Sequence, residues 1–204
     1  MCEYINIMTA IQYIIVLKIA VLFIFKGESI MKLFNHLRTV HIHRKAVMEM
    51  CFKCGLYRQG LTHDLSKYSL VELIPSVKYW TGKRSPIDAE IEDKGYSLAW
   101  LHHKGHNKHH YEYWIDPAHT KTPIKMPKNY LVEMFCDRVA ASKTYLKDEF
   151  KNTSPIEYMD SKPQEKALMH PDTYKMLHYL FELYAEYGEN FTCDFVKDCM
   201  NERY

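Results

Sequence analysis

Leu33-Phe-Asn-His-Leu37-Arg-Thr-Val40-His-Ile-His43-Arg44-Lys-Ala-Val47-Met-Glu-Met-Cys51-Phe-Lys-Cys54-Gly55 is the stretch that decides the fold class. Leu33, Leu37, Val40, Val47 and Cys51 recur at helical spacing, so one apolar stripe runs down one side. The spacing predicts a long helix from about Lys32 to Cys54, with Gly55 as its stop. The same stretch carries two histidines around the β-branched Ile42, and only one of them can share the inward stripe.

Working outward, further helix starts follow. Ser69-Leu-Val-Glu72 reads as a capping box opening a helix toward Trp80. Ser85-Pro86 places a cap before proline at the first helical position, with the helix expected to reach Lys104. Met126-Pro127 opens another through Leu131, Phe135, Val139 and Tyr145, and Ser154-Pro155-Ile-Glu157 a short one. His170-Pro171-Asp172 starts a helix expected to end at Gly188, with a last short helix from Cys193 to Met200. Only 7 glycines and 8 prolines punctuate the chain, and no run alternates with period two. The fold class expected is all-α.

Composition narrows the partners. A net charge of +2 makes no electrostatic case for nucleic acid or an anionic membrane. Six cysteines without framework spacing, in a chain that can bury a core, point to a reducing cytoplasm. Cys51-Phe-Lys-Cys54 is a lone CxxC with no preceding strand, so it reads as two helix thiols, one of them buried. No dinucleotide fingerprint, Walker loop or nucleophile elbow occurs. The oligomeric state is not legible.

Residues 1–30 stand apart. Met8 to Phe25 is apolar, broken by Gln12 and Lys18, and is near the lower limit for a membrane span. No basic region precedes it and no small-residue cleavage site follows. Lys26-Gly27-Glu28 is how a purine-rich ribosome-binding tract reads in frame, a short distance before Met31. The expectation is upstream sequence translated from an early start. The alternative is a true N-terminal anchor, the one route to a membrane partner.

The chemistry sits in the histidines. Eight of the twelve lie between His41 and His110, in separate segments beside carboxylates. Imidazole and carboxylate together make transition-metal sites. His43 comes from the first helix, and His63-Asp64 from a later segment. Adjacent helical residues point about 100° apart, so His63 and Asp64 reach one centre only at a helix end or kink. His102, His103, His109 and His110 follow. Glu133 and Asp137 are an i, i+4 pair and share one helix face. Lys67, four residues after His63, can pair with Asp64 or with a substrate phosphate. Each piece alone has a bland reading as a surface pair, a solvated face or a mobile loop. Four segments supplying complementary ligands point to one centre.

These residues resemble the HD-domain superfamily of metal-dependent phosphohydrolases. The resemblance rests on His63-Asp64-Leu-Ser-Lys67 and on Met134-Phe-Cys-Asp137-Arg-Val-Ala-Ala. The whole pattern is more closely similar to a family of uncharacterised bacterial and phage proteins. Its marks are His43-Arg44-Lys-Ala-Val47, His63-Asp-Leu-Ser-Lys-Tyr-Ser69, His102-His103, Asn107-Lys-His109-His110, Trp114 and Val132-Glu-Met-Phe-Cys-Asp137, and it covers Met31 to Tyr145.

The resemblance implies an HD-like helical bundle. Its metal-binding domain would span residues 31–150, with C-terminal helices 151–204 packing on it. It implies His43, His63, Asp64 and Asp137 as the minimal set for a divalent Mn, Fe, Co, Ni or Zn ion. His103 and His109 or His110 would serve a second ion. It also implies hydrolysis of a nucleotide or other small phosphate ester, with Asp64 or Glu133 handling the proton, Lys67, Lys104 and Lys108 neutralising phosphate oxygens, and Asn107 orienting a ligand or the substrate. The competing reading is a non-catalytic module whose saturated His/Asp site is structural or sensory. The two differ in whether a coordination position stays open.

Overall fold

The computed structural model describes residues 28–82, 84–116, 118 and 123–201. The segment 1–27, and with it the apolar stretch from Met8 to Phe25, lies outside the described residues. No strand occurs among the described residues, and the protein is all-α. No helix among them is long and apolar enough to cross a membrane.

Helix α1 (Glu28–Lys53) is the helix read from the opening stretch. It is already helical at Glu28, ahead of the expected start at Lys32, with that carboxylate in its first turn where the dipole favours it. Gly55 takes φ +78 and ends the run, as expected of a glycine stop. Helices α2 (Tyr57–Thr62), α3 (Leu70–Lys78), α4 (Pro86–Lys94) and α5 (Leu98–His106) follow. Then come α6 (Lys128–Leu146), α7 (Ser154–Asp160), α8 (Pro163–Leu168) and α9 (Pro171–Asn201).

The chain forms two compact units that interleave in sequence. The first takes residues up to Val40 and Leu65–His103. Leu33, Leu37 and Val40 of α1 are buried there, as are Leu73 and Val77 of α3. Two sequence expectations are corrected in this unit. The Pro86 helix stops at Lys94, because Gly95 adopts φ 80, and a new helix starts at Leu98. Ser97 marks the break: its Oγ accepts from Trp100 N at 3.0 Å and donates to buried Glu90 at 2.6 Å. The capping box at Ser69 does not close. Ser69 is the N-cap of α3 but its side chain accepts nothing from the helix, and Glu72 turns to His102 and His103 instead.

The second unit takes His41–Asp64 and Lys104–Tyr204. Its core joins Val47, Met50 and Cys51 of α1 to Phe135 and Val139 of α6, and to Leu177 and Phe181 of α9. The Phe135 ring lies 5.5 Å from that of Phe181 and 6.1 Å from that of Tyr184, in the range of favourable aromatic pairs. Helix α9 runs past the expected stop. Gly188 breaks it with φ 78, ψ −177, and the chain resumes helix at once rather than from Cys193. Both thiols of the CxxC are buried, not one, and Cys54 Sγ lies 3.9 Å from Cys136 Sγ on α6. Gly60 on α2 allows a close approach to α1. A Cβ there would meet the Cys51 Cβ at 3.1 Å and the Phe52 ring at 3.0 Å.

Candidate metal centre

Four segments of the second unit carry the centre. Helix α1 supplies His43, which is buried, while His41 is exposed on the other side of Ile42. Helix α2 ends at Thr62, and the chain turns sharply through His63 and Asp64. Asp64 sits at φ 53, a conformation uncommon for a residue with a side chain and best tolerated by Asn and Asp. This turn is the helix end that the adjacent pair requires. Arg44, one residue after His43, holds it: Nε donates to the His63 carbonyl at 2.7 Å and Nη2 to the Leu61 carbonyl at 3.2 Å. Helix α6 supplies Glu133 and Asp137 from one face. His109 stands in a turn closed by His110 N donating to the Asn107 carbonyl at 3.2 Å. Trp114 Nε1 donates to the Lys108 carbonyl at 2.8 Å and ties that turn down.

The side chains converge. His43 Nε2 lies 2.9 Å from Asp137 Oδ1. His63 Nε2 lies 3.5 Å from Asp64 Oδ2 and 3.5 Å from Asp137 Oδ1. His109 Nε2 lies 3.4 Å from the other Asp64 oxygen, Oδ1, and 4.0 Å from Asp137 Oδ2. Ligands about 2.1 Å from one ion stand roughly 3.0–3.5 Å apart at octahedral or tetrahedral angles, so the spacings among His43, His63, Asp64 and Asp137 fit one. Ligand atoms of His43, His63 and Asp64 all lie within 4.8 Å of one another, as do those of Asp64, His109 and His110. His63 Nε2 is buried and makes no hydrogen bond, although two carboxylates face it. A cation here would meet two carboxylates and, once the ring gives up its proton, an imidazole lone pair.

Glu133 stands behind two of these rings. Its Oε1 is 3.0 Å from Nδ1 of His63 and 3.0 Å from Nδ1 of His109. Two N–H groups donating to one carboxylate oxygen orient both rings and turn both Nε2 atoms toward the centre. Glu133 thus stands behind the His63 and His109 rings and, with them, forms a further group able to hold an ion.

The charges are tightly coupled. Burial works to lower the His63 pKa, but Asp64, Asp137 and Glu133 outweigh it and raise it to about 10. Burial would raise the Asp137 carboxyl, yet His43 and His63 hold it well below its ordinary value. Glu133 is likewise held down against burial by His109 and His63. A cation among these carboxylates would take the place of the proton on His63.

His102, His103 and Lys67 belong to the first unit. There Glu72 receives both histidines, Oε1 at 2.6 Å from His102 Nδ1 and Oε2 at 2.8 Å from His103 Nδ1. Ser66 Oγ lies 3.2 Å from His103 Nδ1. Burial would raise the Glu72 carboxyl, but His103, His102 and Ser66 lower it. Lys67 adds to the burial that lowers the His36 pKa to about 4. Of the remaining candidates, Asn107 and Lys108 line a polar cavity that also touches His109 and Glu133, and Lys104 does not line it. Sequence reasoning had Glu72 only as a cap and gave Arg44 no role. An arginine beside an inward histidine carries no signal until its carbonyl partners are known.

Fold and site define an all-α protein with a buried histidine–carboxylate centre. Residues 32–183 match the model of a family described as a family of unknown function, DUF5662, and the chain belongs to that family. No curated protein and no solved structure matches the chain.

Proposed function

We propose that this centre holds a divalent transition ion, Mn, Fe, Co, Ni or Zn, and hydrolyses a small phosphate ester. The observation that carries the metal is the buried His63 Nε2, without a hydrogen bond and facing Asp64 and Asp137 at 3.5 Å each. His43, His63, Asp64 and Asp137 would hold the first ion. Asp64 faces both His63 and His109, and with His109 and His110 it would hold a second ion. The likeness of the His63-Asp64 segment and of the Asp137 helix to the HD superfamily supports hydrolysis over a purely structural role.

When bound, such an ion supplies acidity to a water and positive charge to phosphate oxygens. The chain's own groups do the rest. Asp64, at the centre, accepts the proton that the attacking water gives up. The water oxygen bonds to phosphorus, the ester P–O bond breaks, and the alcohol leaves with the proton that Asp64 gives back. Glu133 keeps His63 and His109 in the donor tautomer throughout.

The test is metal analysis of untagged protein, followed by a phosphate-ester panel with each of the five metals restored to stripped protein. A bound ion and turnover abolished by Asp64→Ala are expected. A stoichiometric ion with no turnover under any metal would turn the reading to a structural or sensory site.

A further inference from the structure

The geometry points to a cavity beside the centre as the binding site for the phosphate and polar body of a compact, hydroxyl-rich phosphate ester of the sugar-phosphate class. The inference rests on the hydrolase reading above and narrows its substrate. The cavity has a volume of about 330 Å³ and lies wholly within the second unit. Helix α2 and helix α6 form two of its walls with the same pattern. Arg58, Gln59 and Thr62 line it from one, and Asn129, Tyr130 and Glu133 from the other. Each triplet is an i, i+1, i+4 set, one helical face. The turn carrying His106 to His109 completes it.

The wall has a definite charge. Arg58 and Lys108 bring two permanent positive charges, and no carboxylate lies within ion-pair distance of either among the described residues. The one carboxylate in the wall is Glu133, already engaged by His63 and His109 at 3.0 Å each. An anion entering here meets cations and no competing free acid. Arg58 presents a planar fork suited to two phosphate oxygens, and Lys108 a point charge.

The rest of the wall selects the body of the ligand. No aliphatic side chain lines the cavity. Gln59, Thr62, Asn107 and Asn129 offer amides and a hydroxyl, which match sugar hydroxyls by donating and accepting. A nucleobase would need an open aromatic face. Tyr130 is the one phenol or indole ring in the wall, and its surroundings are taken: Lys108 Nζ lies 5.8 Å from its centroid and the Trp114 ring 5.9 Å away.

The test uses the full chain loaded with metal, titrated by calorimetry with ribose 5-phosphate, AMP and unphosphorylated ribose. Ribose 5-phosphate is expected to bind at least about tenfold more tightly than ribose, which lacks the charge-assisted contacts of the phosphate, and more tightly than AMP, whose base finds no open ring in this polar wall. Arg58→Ala and Lys108→Ala, both at exposed positions, should each weaken it about tenfold with metal content unchanged. That result stands even if nothing is hydrolysed, in which case the hydrolase reading alone falls. Hydrolysis of ribose 5-phosphate with Kd and KM indifferent to both variants would overturn the cavity and leave the hydrolase reading in place. AMP binding as tightly as ribose 5-phosphate would overturn the substrate class. No binding of any phosphate probe would overturn the site.

Discussion

His63 meets Glu133 through Nδ1 at 3.0 Å and keeps its other nitrogen, Nε2, buried and aimed at the centre. One contact therefore sets the ring's tautomer, its rotation and its availability as a ligand. The same Glu133 oxygen does this for His109, so a single carboxylate on α6 orients two imidazoles from different segments.

Glu133→Ala is accordingly expected to lower metal affinity by about 10–100-fold, the usual loss when an outer carboxylate is removed from a ligating histidine. Glu133→Gln keeps an acceptor oxygen but not the charge, and should fall between wild type and alanine. Competition against a chromophoric chelator measures both. Unchanged affinity in Glu133→Ala would remove Glu133 from the centre.

A second expectation concerns pH. In metal-stripped protein the neighbouring carboxylates outweigh burial and lift His63 from 6.5 to about 10. The folded chain then binds this proton more tightly than the unfolded chain. Its contribution to stability is full below about pH 6.5 and is lost as pH rises toward 10. Melting temperature of stripped protein should fall across that window. Metal-loaded protein should not show the fall, because the ion replaces the proton, and adding metal to stripped protein should release protons into a weakly buffered indicator solution. A flat profile for stripped protein would contradict the charge arrangement.

Much of this site was legible because its residue types are rare and its spacings mechanical. His43 rather than His41 follows from the stripe through Val40 and Val47, since one residue's displacement turns a side chain 100°. A helix end at His63-Asp64 follows from asking two adjacent side chains to share a target. What stayed hidden depended on contacts distant in sequence. Glu72 has the spacing of a cap from Ser69, and nothing local shows that His102 and His103 lie 2.6 and 2.8 Å away. Glu133 and Asp137 look equivalent as an i, i+4 pair. The packing separates them, giving Asp137 to the centre and Glu133 to the backs of two rings. Gly95 stops a helix whose pattern continues, because a positive φ leaves no trace in the hydrophobic periodicity. The HD-like fold and the substrate remain expectations of resemblance and chemistry.

The cysteines give a third expectation. Cys51, Cys54, Cys136 and Cys193 are all buried, and Cys199 is only partly so. Cys54, just past the end of α1, and Cys136 of α6 approach to 3.9 Å. Among these five, a thiol reagent should label Cys199 in the native protein and reach the other four only in denaturant. Peptide mapping after timed labelling checks this. Rapid native modification of Cys54 would revive a redox reading of the CxxC.

The last expectation tests how the His63-Asp64 turn is held. Arg44 donates to the carbonyls of His63 and Leu61, at 2.7 and 3.2 Å, just where α2 ends and its carbonyls lose their helical partners. Asp64 follows at φ 53, a conformation costing of order 1–3 kcal/mol unless its surroundings enforce it. Removing Arg44 takes away two charge-assisted hydrogen bonds but no ligand. Arg44→Ala should therefore destabilise the fold by about 1.5–3 kcal/mol and also weaken metal binding. Arg44→Lys can reach one carbonyl but not span both, and should recover only part of each loss. Asp64→Asn separates backbone from charge: asparagine tolerates the same φ, so the fold should hold while metal affinity drops. Denaturant melts of metal-stripped protein, run beside metal titrations, distinguish the two effects. If Arg44→Ala melts like wild type and binds metal as tightly, the turn is held by something other than Arg44.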